Sequence, residues 1–221
     1  MITFEPIGFI RTPYQRFYDT PRQPGVHDIV DRSYIELLPN NNYEQALQDL
    51  QGCDRIWLVV HFHQALSWKP KVLPPRGRTK RGVFATRSPH RPNPIGITCC
   101  ELLDVRGLRI EVLGTDLIDN TPVLDIKPYV AYADAFPESN VAWMSELESA
   151  CYSVVGKALE QLPNDLQDYV VRTLQSDPMP HPYRRIELLA DGLYQLAVRE
   201  YRIQYRLHDN IVSIEETRVV L

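Results

Sequence analysis

Gly96-Ile97-Thr98-Cys99-Cys100-Glu101-Leu102-Leu103-Asp104-Val105-Arg106-Gly107-Leu108-Arg109-Ile110-Glu111-Val112-Leu113-Gly114-Thr115-Asp116-Leu117 reads as two β-strands joined by one tight turn. The strands are Gly96–Val105 and Leu108–Leu117, and the short connection that holds Gly107 suits a hairpin. Phe4–Arg11, Ser33–Leu38, Arg55–Phe62, Gly82–Thr86 and Val123–Ile126 meet the same alternation and β-branching criteria. Many short strands punctuated by Gly and Pro predict a closed or nearly closed barrel with helical decoration. A helix is predicted at Tyr43–Leu50, with Asn42 as N-cap, Gln45 at N3 and Gly52 just past its end.

The pattern changes after Pro137. Trp143, Leu147, Ala150, Cys151, Val154, Ala158 and Leu162 make one apolar stripe at helical spacing and predict a helix over Ala142–Leu162. Pro163 stops it, and Asn164 caps a second helix, Asp165–Leu174. Tyr201–Leu207 and Ile211–Ile214 form a hairpin around His208-Asp209-Asn210. The expected fold is a mainly β barrel over residues 1–138, followed by a small α+β domain over 139–221 made of two helices and a β-hairpin.

Composition narrows the classes. A chain of 221 residues with 44% hydrophobic and 24% charged side chains is globular, not disordered. No apolar run approaches the ~18 residues of a membrane span, and the N-terminus lacks a signal-peptide pattern. Cys53, Cys99, Cys100 and Cys151 show no CxxC spacing and read as reduced thiols, so a cytoplasmic location is expected.

Charge is distributed unevenly. Between Asp54 and Glu101 there is no acidic residue and there are nine basic ones: Arg55, Lys69, Lys71, Arg76, Arg78, Lys80, Arg81, Arg87 and Arg91. The rest of the chain holds 15 basic against 28 acidic residues, a net of −13. Such a segment focuses potential towards an anion, and nucleic acid is the obvious one. Pro70, Pro74, Pro75 and Gly77 are expected to keep Lys69–Arg81 out of regular structure. The run leads into Arg87-Ser88-Pro89-His90-Arg91-Pro92-Asn93-Pro94, where three prolines fix φ and remove backbone donors. That stiff loop holds its polar side chains in place before any ligand arrives.

The commonest fingerprints are missing: no GxGxxG, Walker A, HExxH or GxSxG. His61 and His63 share a face by period-2 geometry, but spacing supplies no third ligand, so no metal site is expected.

Pro21-Arg22-Gln23-Pro24-Gly25, Phe62-His63-Gln64, Gly82–Ser88, Arg91–Gly96, Asp116-Leu117-Ile118-Asp119 and Asp125-Ile126-Lys127-Pro128-Tyr129 together resemble the TsaA-like family, also called TrmO or YaeB-like. The resemblance spans residues 1–135 with specific motifs and is less specific beyond them. It implies a β-barrel, non-Rossmann methyltransferase that uses S-adenosylmethionine. The implied reaction is methylation of N6 of a threonylcarbamoyl-adenosine beside the anticodon, in the anticodon loop of threonine tRNA. It also implies a homodimer.

On that resemblance, Arg87 meets the cofactor carboxylate through a bidentate fork. Asp116 and Asp119, with Leu117 and Ile118 between them, meet its ribose or ammonium. His63 and Gln64 stand at the pocket mouth, and Arg22, Gln23 and Pro24 form its lip. Asp125, Asp119 and His90 are candidate bases, while Lys127, Tyr129, Arg91 and Asn93 orient the modified base. The competing readings are a non-catalytic RNA-binding barrel and a metal enzyme built on His61 and His63.

Overall fold

The structure is a computed structural model that describes residues 2–15, 32–74, 77, 79–145, 152–180 and 186–220. They form two compact units, one within Met1–Pro74 and Thr79–Ser139 and the other within Pro75–Arg78 and Asn140–Leu221.

In the first unit six antiparallel strands close a barrel: β1 (Gly8–Arg11), β2 (Arg32–Leu37), β3 (Arg55–His61), β6 (Ile95–Arg106), β7 (Arg109–Leu113) and β8 (Pro122–Pro128). Their order around the barrel is β1-β2-β7-β6-β3-β8, and β8 pairs back to β1. Strict alternation fills the interior. Ile10, Ile35, Ile56, Leu58, Val60, Cys100, Ile110, Val112 and Val123 are fully buried, while their neighbours along each strand face outward. Gly107, with φ +56°, takes the first of two central positions between Arg106 and Arg109, as a tight hairpin with a single left-handed residue requires.

Closure by antiparallel pairing sorts the connections between two ends. The links β1–β2, β3–β6 and β7–β8 all leave at one end; β2–β3 and β6–β7 leave at the other. Strands β7 and β8 are not neighbours, so residues 114–121 must cross the barrel end. Leu117, almost fully buried in the barrel core, plugs that end.

Several predicted elements differ. Strand β1 is shorter than Phe4–Arg11, and β7 stops at Leu113, because the chain turns there to cross the barrel end. Gly82–Thr86 is not a strand. Only Arg81–Gly82 (β5) is extended, pairing with Lys71–Val72 (β4), and Val83–Ala85 forms a 3-10 turn. The basic segment is therefore partly a two-stranded ribbon, anchored by the buried Val72; Pro75, Arg76 and Arg78 lie outside the described residues. The helix at Tyr43 (α1, Tyr43–Ala46) is one turn long. Asn42 does not cap it: its backbone is left-handed and its amide donates to Gln45 Oε1 at 2.7 Å.

The second unit is a five-stranded sheet in the order β10-β11-β12-β13-β9. The strands are β9 (Ser153–Val155), β10 (Ile186–Ala190), β11 (Leu193–Val198), β12 (Tyr201–His208) and β13 (Ile211–Val219). A helix over Asn164–Ser176 packs Leu166, Val170 and Leu174 into the core formed with Leu196, Ile203, Tyr205, Val212 and Ile214. The predicted helix Ala142–Leu162 is corrected: Ala142–Ser145 is helical, but Ser153–Val155 is strand β9 and Lys157–Gln161 a 3-10 turn. Gly156 enforces the break, with φ +140° and room for no Cβ, which would meet Ile214 O at 2.4 Å. Two helices and a hairpin therefore become one long helix on a five-stranded sheet. Among the described residues no helix is long and apolar enough to cross a membrane.

Candidate functional site

The three connections that leave together carry most of the candidate cofactor residues. Residues 12–31 include Arg22, Gln23 and Pro24, which lie outside the described residues. Residues 62–94 include His63, Gln64, Arg87, His90, Arg91 and Asn93, and residues 114–121 include Asp116 to Asp119.

Asp116 is the chemically unusual group. Its Oδ1 is buried without a hydrogen-bond partner, and so is Oγ1 of Thr98. Burial pushes the Asp116 carboxyl up, while the nearby Thr98 hydroxyl, its own backbone and the Arg87 charge pull it back. The Thr98 hydroxyl is close enough to act on the carboxylate but is not aligned as a hydrogen bond. Leu117 N donates to Thr115 Oγ1 at 3.2 Å, which bends the chain into the barrel mouth. Beneath lies the Cys100 thiol, pushed up to about 12 mainly by burial, so it stays protonated.

Asp119 is used differently. Its Oδ1 accepts from Thr12 N at 3.0 Å and its own N–H donates to Tyr14 O at 2.8 Å. Asn120, at φ +63°, accepts from Arg11 Nη1 at 2.9 Å. These bonds fasten the crossing segment to the end of β1. Leu117 O and Ile118 O accept from the hydroxyls of Thr12 and Thr121 at 3.3 and 2.7 Å.

The proline-stiffened loop is tied down from within. Arg91 Nη1 donates to Val83 O and Thr86 O at 3.1 and 2.8 Å, and its guanidinium lies 5.6 Å from the Phe84 ring centre. His90 Nδ1 lies 3.0 Å from Ser67 O. A carbonyl only accepts, so Nδ1 is the donor in this contact and Nε2 is the ring nitrogen left for a ligand. Phe62 N donates to Pro94 O at 2.8 Å, and the Phe62 ring lies over Gly96, where an added Cβ would meet it at 2.3 Å. That packing sets where His63 and Gln64 begin.

His61 and His63 do not continue on one face: β3 ends at His61, and His63 N turns back to His61 O at 2.8 Å. Burial first, and His61 second, lower the His63 pKa, so His63 is neutral near pH 7. Among the described residues no cluster of three or more His, Cys, Asp or Glu is placed to hold a metal ion.

Asp125, Lys127 and Tyr129 run along β8 away from this end, Asp125 three residues into the strand and Tyr129 beyond its other end. Asp125 and Lys127 pair at 2.8 Å on the outer face of β8, opposite Val59 and Trp57. A bulge at Leu124 turns Asp125 outward: Val60 pairs with Val123 and Val59 with Asp125. Tyr129 donates its N–H to Arg55 O near the far end, its ring 5.8 Å from Trp57. Thr98 was missed in the sequence; its inward β6 position was the only signal, since the crossing segment that meets it is irregular.

A closed antiparallel barrel with a carboxylate and an arginine together at one end is a β-barrel ligand-binding architecture, not a doubly wound nucleotide-binding one. The family model described as "tRNA-methyltransferase O N-terminal domain" matches residues 9–135. A protein of Escherichia coli (strain K12), "tRNA (adenine(37)-N6)-methyltransferase", is 34% identical over 222 residues, covering 93% of each chain. A "Probable S-adenosyl-L-methionine-binding protein" of Archaeoglobus fulgidus is 36% identical over 146 residues, 66% of this chain and 39% of that one. The crystal structure of TrmO from Pseudomonas aeruginosa superposes with a TM-score of 0.60 at 28% identity, covering 99% of this chain and 98% of that one. The chain belongs to the tRNA-methyltransferase O family.

Proposed function

We propose that this protein methylates N6 of a threonylcarbamoyl-adenosine beside the anticodon of threonine tRNA, with S-adenosylmethionine as methyl donor. The observation that carries the reading is the buried, unpartnered Asp116 Oδ1 beside Arg87 at the end of a closed barrel. A carboxylate so placed lacks the donors that a ribose diol or an ammonium supplies, and a guanidinium suits a carboxylate. The residues present therefore fit the cofactor. Arg87, Asp116 and the backbone of Leu117 and Ile118 hold it, Asp119 fixes the crossing segment, and His63 and Gln64 close the mouth. Arg22, Gln23 and Pro24, outside the described residues, are the lip that the family resemblance implies.

S-adenosylmethionine supplies an electrophilic methyl on a sulfonium centre that leaves as a neutral thioether. The acceptor nitrogen is a poor nucleophile, because its lone pair is delocalised into the urea. His90 takes its proton at Nε2, the ring held by Ser67 O. Asp125, paired with Lys127, faces outward on β8 beside β3 and, with Lys127 and Tyr129, meets the RNA. Arg91 positions the loop through Val83 O and Thr86 O, leaving Asn93, two residues before β6, to orient the base.

The enzyme is a cytoplasmic homodimer in this reading. The exposed Ile95 and Ile97, next to Val59 on the outer face of β3 and β6, are the apolar surface a second copy covers. Transfer of labelled methyl to threonine tRNA tests the reaction. Incorporation that requires the threonylcarbamoyl group supports it; equal incorporation into unmodified transcripts contradicts the proposed substrate.

A further inference from the structure

Thr98 is an inward residue of β6, only 2% exposed, in a row otherwise apolar. A hydroxyl there has no packing advantage over Val, which has the same shape and no polar atom to desolvate. Buried hydroxyls are normally hydrogen-bonded, yet Thr98 Oγ1 has no such partner. Two polar atoms lie close: the Asp116 carboxylate above it and the Cys100 thiol two residues along the strand, itself flanked by Thr115. The Asp116 Oδ1 is unpartnered too. Two buried, unpartnered oxygens, one with a proton to give and one able only to accept when ionised, are placed to satisfy each other after a small rotation about χ1.

We propose that Thr98 is a positioning residue for Asp116: its hydroxyl donates to the carboxylate from inside the barrel, holding Asp116 ionised and turned towards the cofactor. This rests on the reading of Asp116 as a cofactor ligand. Among the described residues, the charged and titratable groups that face Asp116 are Arg87 from the proline-stiffened loop and Cys100 from β6. Arg87 favours the carboxylate from the solvent side. Cys100 remains a neutral thiol at working pH, so it adds no charge and can orient the hydroxyl by offering its own proton. Thr98 thus supplies from the core side what Arg87 supplies from the mouth.

The test uses Thr98→Val and Thr98→Ala, with Thr98→Ser as the rescuing variant and Asp116→Asn as a separate arm. In the apo protein, the Asp116 carboxyl is titrated by carbon NMR. Loss of the hydroxyl moves its midpoint up by about one pH unit, and Thr98→Ser restores it. Calorimetric titration with S-adenosylmethionine then shows affinity about tenfold weaker well below both midpoints, about twofold weaker at the raised one, and converging with the parent at higher pH, where Asp116 is ionised without help. A folded Thr98→Val or Thr98→Ala protein with an unmoved midpoint and a superimposable pH profile of binding overturns the proposal. If Asp116→Asn binds the cofactor as well as the parent, it is the reading of Asp116 that fails, whatever the midpoint does in the Thr98 variants.

Discussion

Asp116 sets function against stability within one side chain. Its folded pKa is raised above the ordinary 3.8, mainly by burial. Between the two values the folded state binds more protons than the unfolded one, so stability falls as pH rises through that window. Asp116→Asn should therefore stabilise the cofactor-free protein at neutral pH, by about 1 kcal/mol. The gain vanishes below pH 3.8, where both states are protonated; thermal melts across that range check it. The same change, and Arg87→Ala, should weaken S-adenosylmethionine binding by about 1.5–3 kcal/mol, the worth of a charge-assisted hydrogen bond. Calorimetry on each folded variant checks both, and unchanged affinity removes that residue from the site. His90→Gln keeps a polar side chain but loses the base. The rate of methyl transfer should drop by about 10²–10⁴ with calorimetric cofactor affinity unchanged.

The elements differ in how far the sequence revealed them. The barrel strands were legible because a half-buried strand writes its burial as alternation, as in Ile56, Leu58 and Val60. The Asp191-Gly192 turn between β10 and β11, both residues at positive φ, was the overlooked hairpin signal. The Ala142–Leu162 stripe misled because β9 depends on pairing with β13, distant in sequence, which no local period records. The site was legible as motifs, not as geometry: that Asp119 binds backbone depends on a segment distant in sequence, and that Arg91 does so depends on how its own loop folds back on Val83 and Thr86. The β4–β5 ribbon makes a prediction at this scale. Neutralising Lys80 and Arg81, with Arg76 and Arg78 beyond the described residues, should raise the KM for tRNA. Its salt dependence should flatten by roughly 0.7–0.9 log units for each phosphate no longer neutralised, with cofactor affinity preserved. Salt-titrated binding checks this, and an unaltered slope means the ribbon does not touch RNA.

At the scale of the molecule, closure of the barrel matters most for function. It sends the three connections with the cofactor candidates to one end, an arrangement that strand order dictates and that no single motif contains. The same closure leaves Ile95 and Ile97 facing outward. A charge placed there, Ile97→Glu, should convert a dimer to a monomer of 25.6 kDa in sedimentation; a parent protein that already sediments as a monomer contradicts the homodimer. Threonine tRNA carrying threonylcarbamoyl-adenosine, incubated with the protein and S-adenosylmethionine, is digested to nucleosides and analysed by mass spectrometry. The modified nucleoside is expected to become one methylene heavier, with fragmentation placing the methyl on N6. An unchanged nucleoside, or a methyl on any other atom, would contradict the proposed reaction.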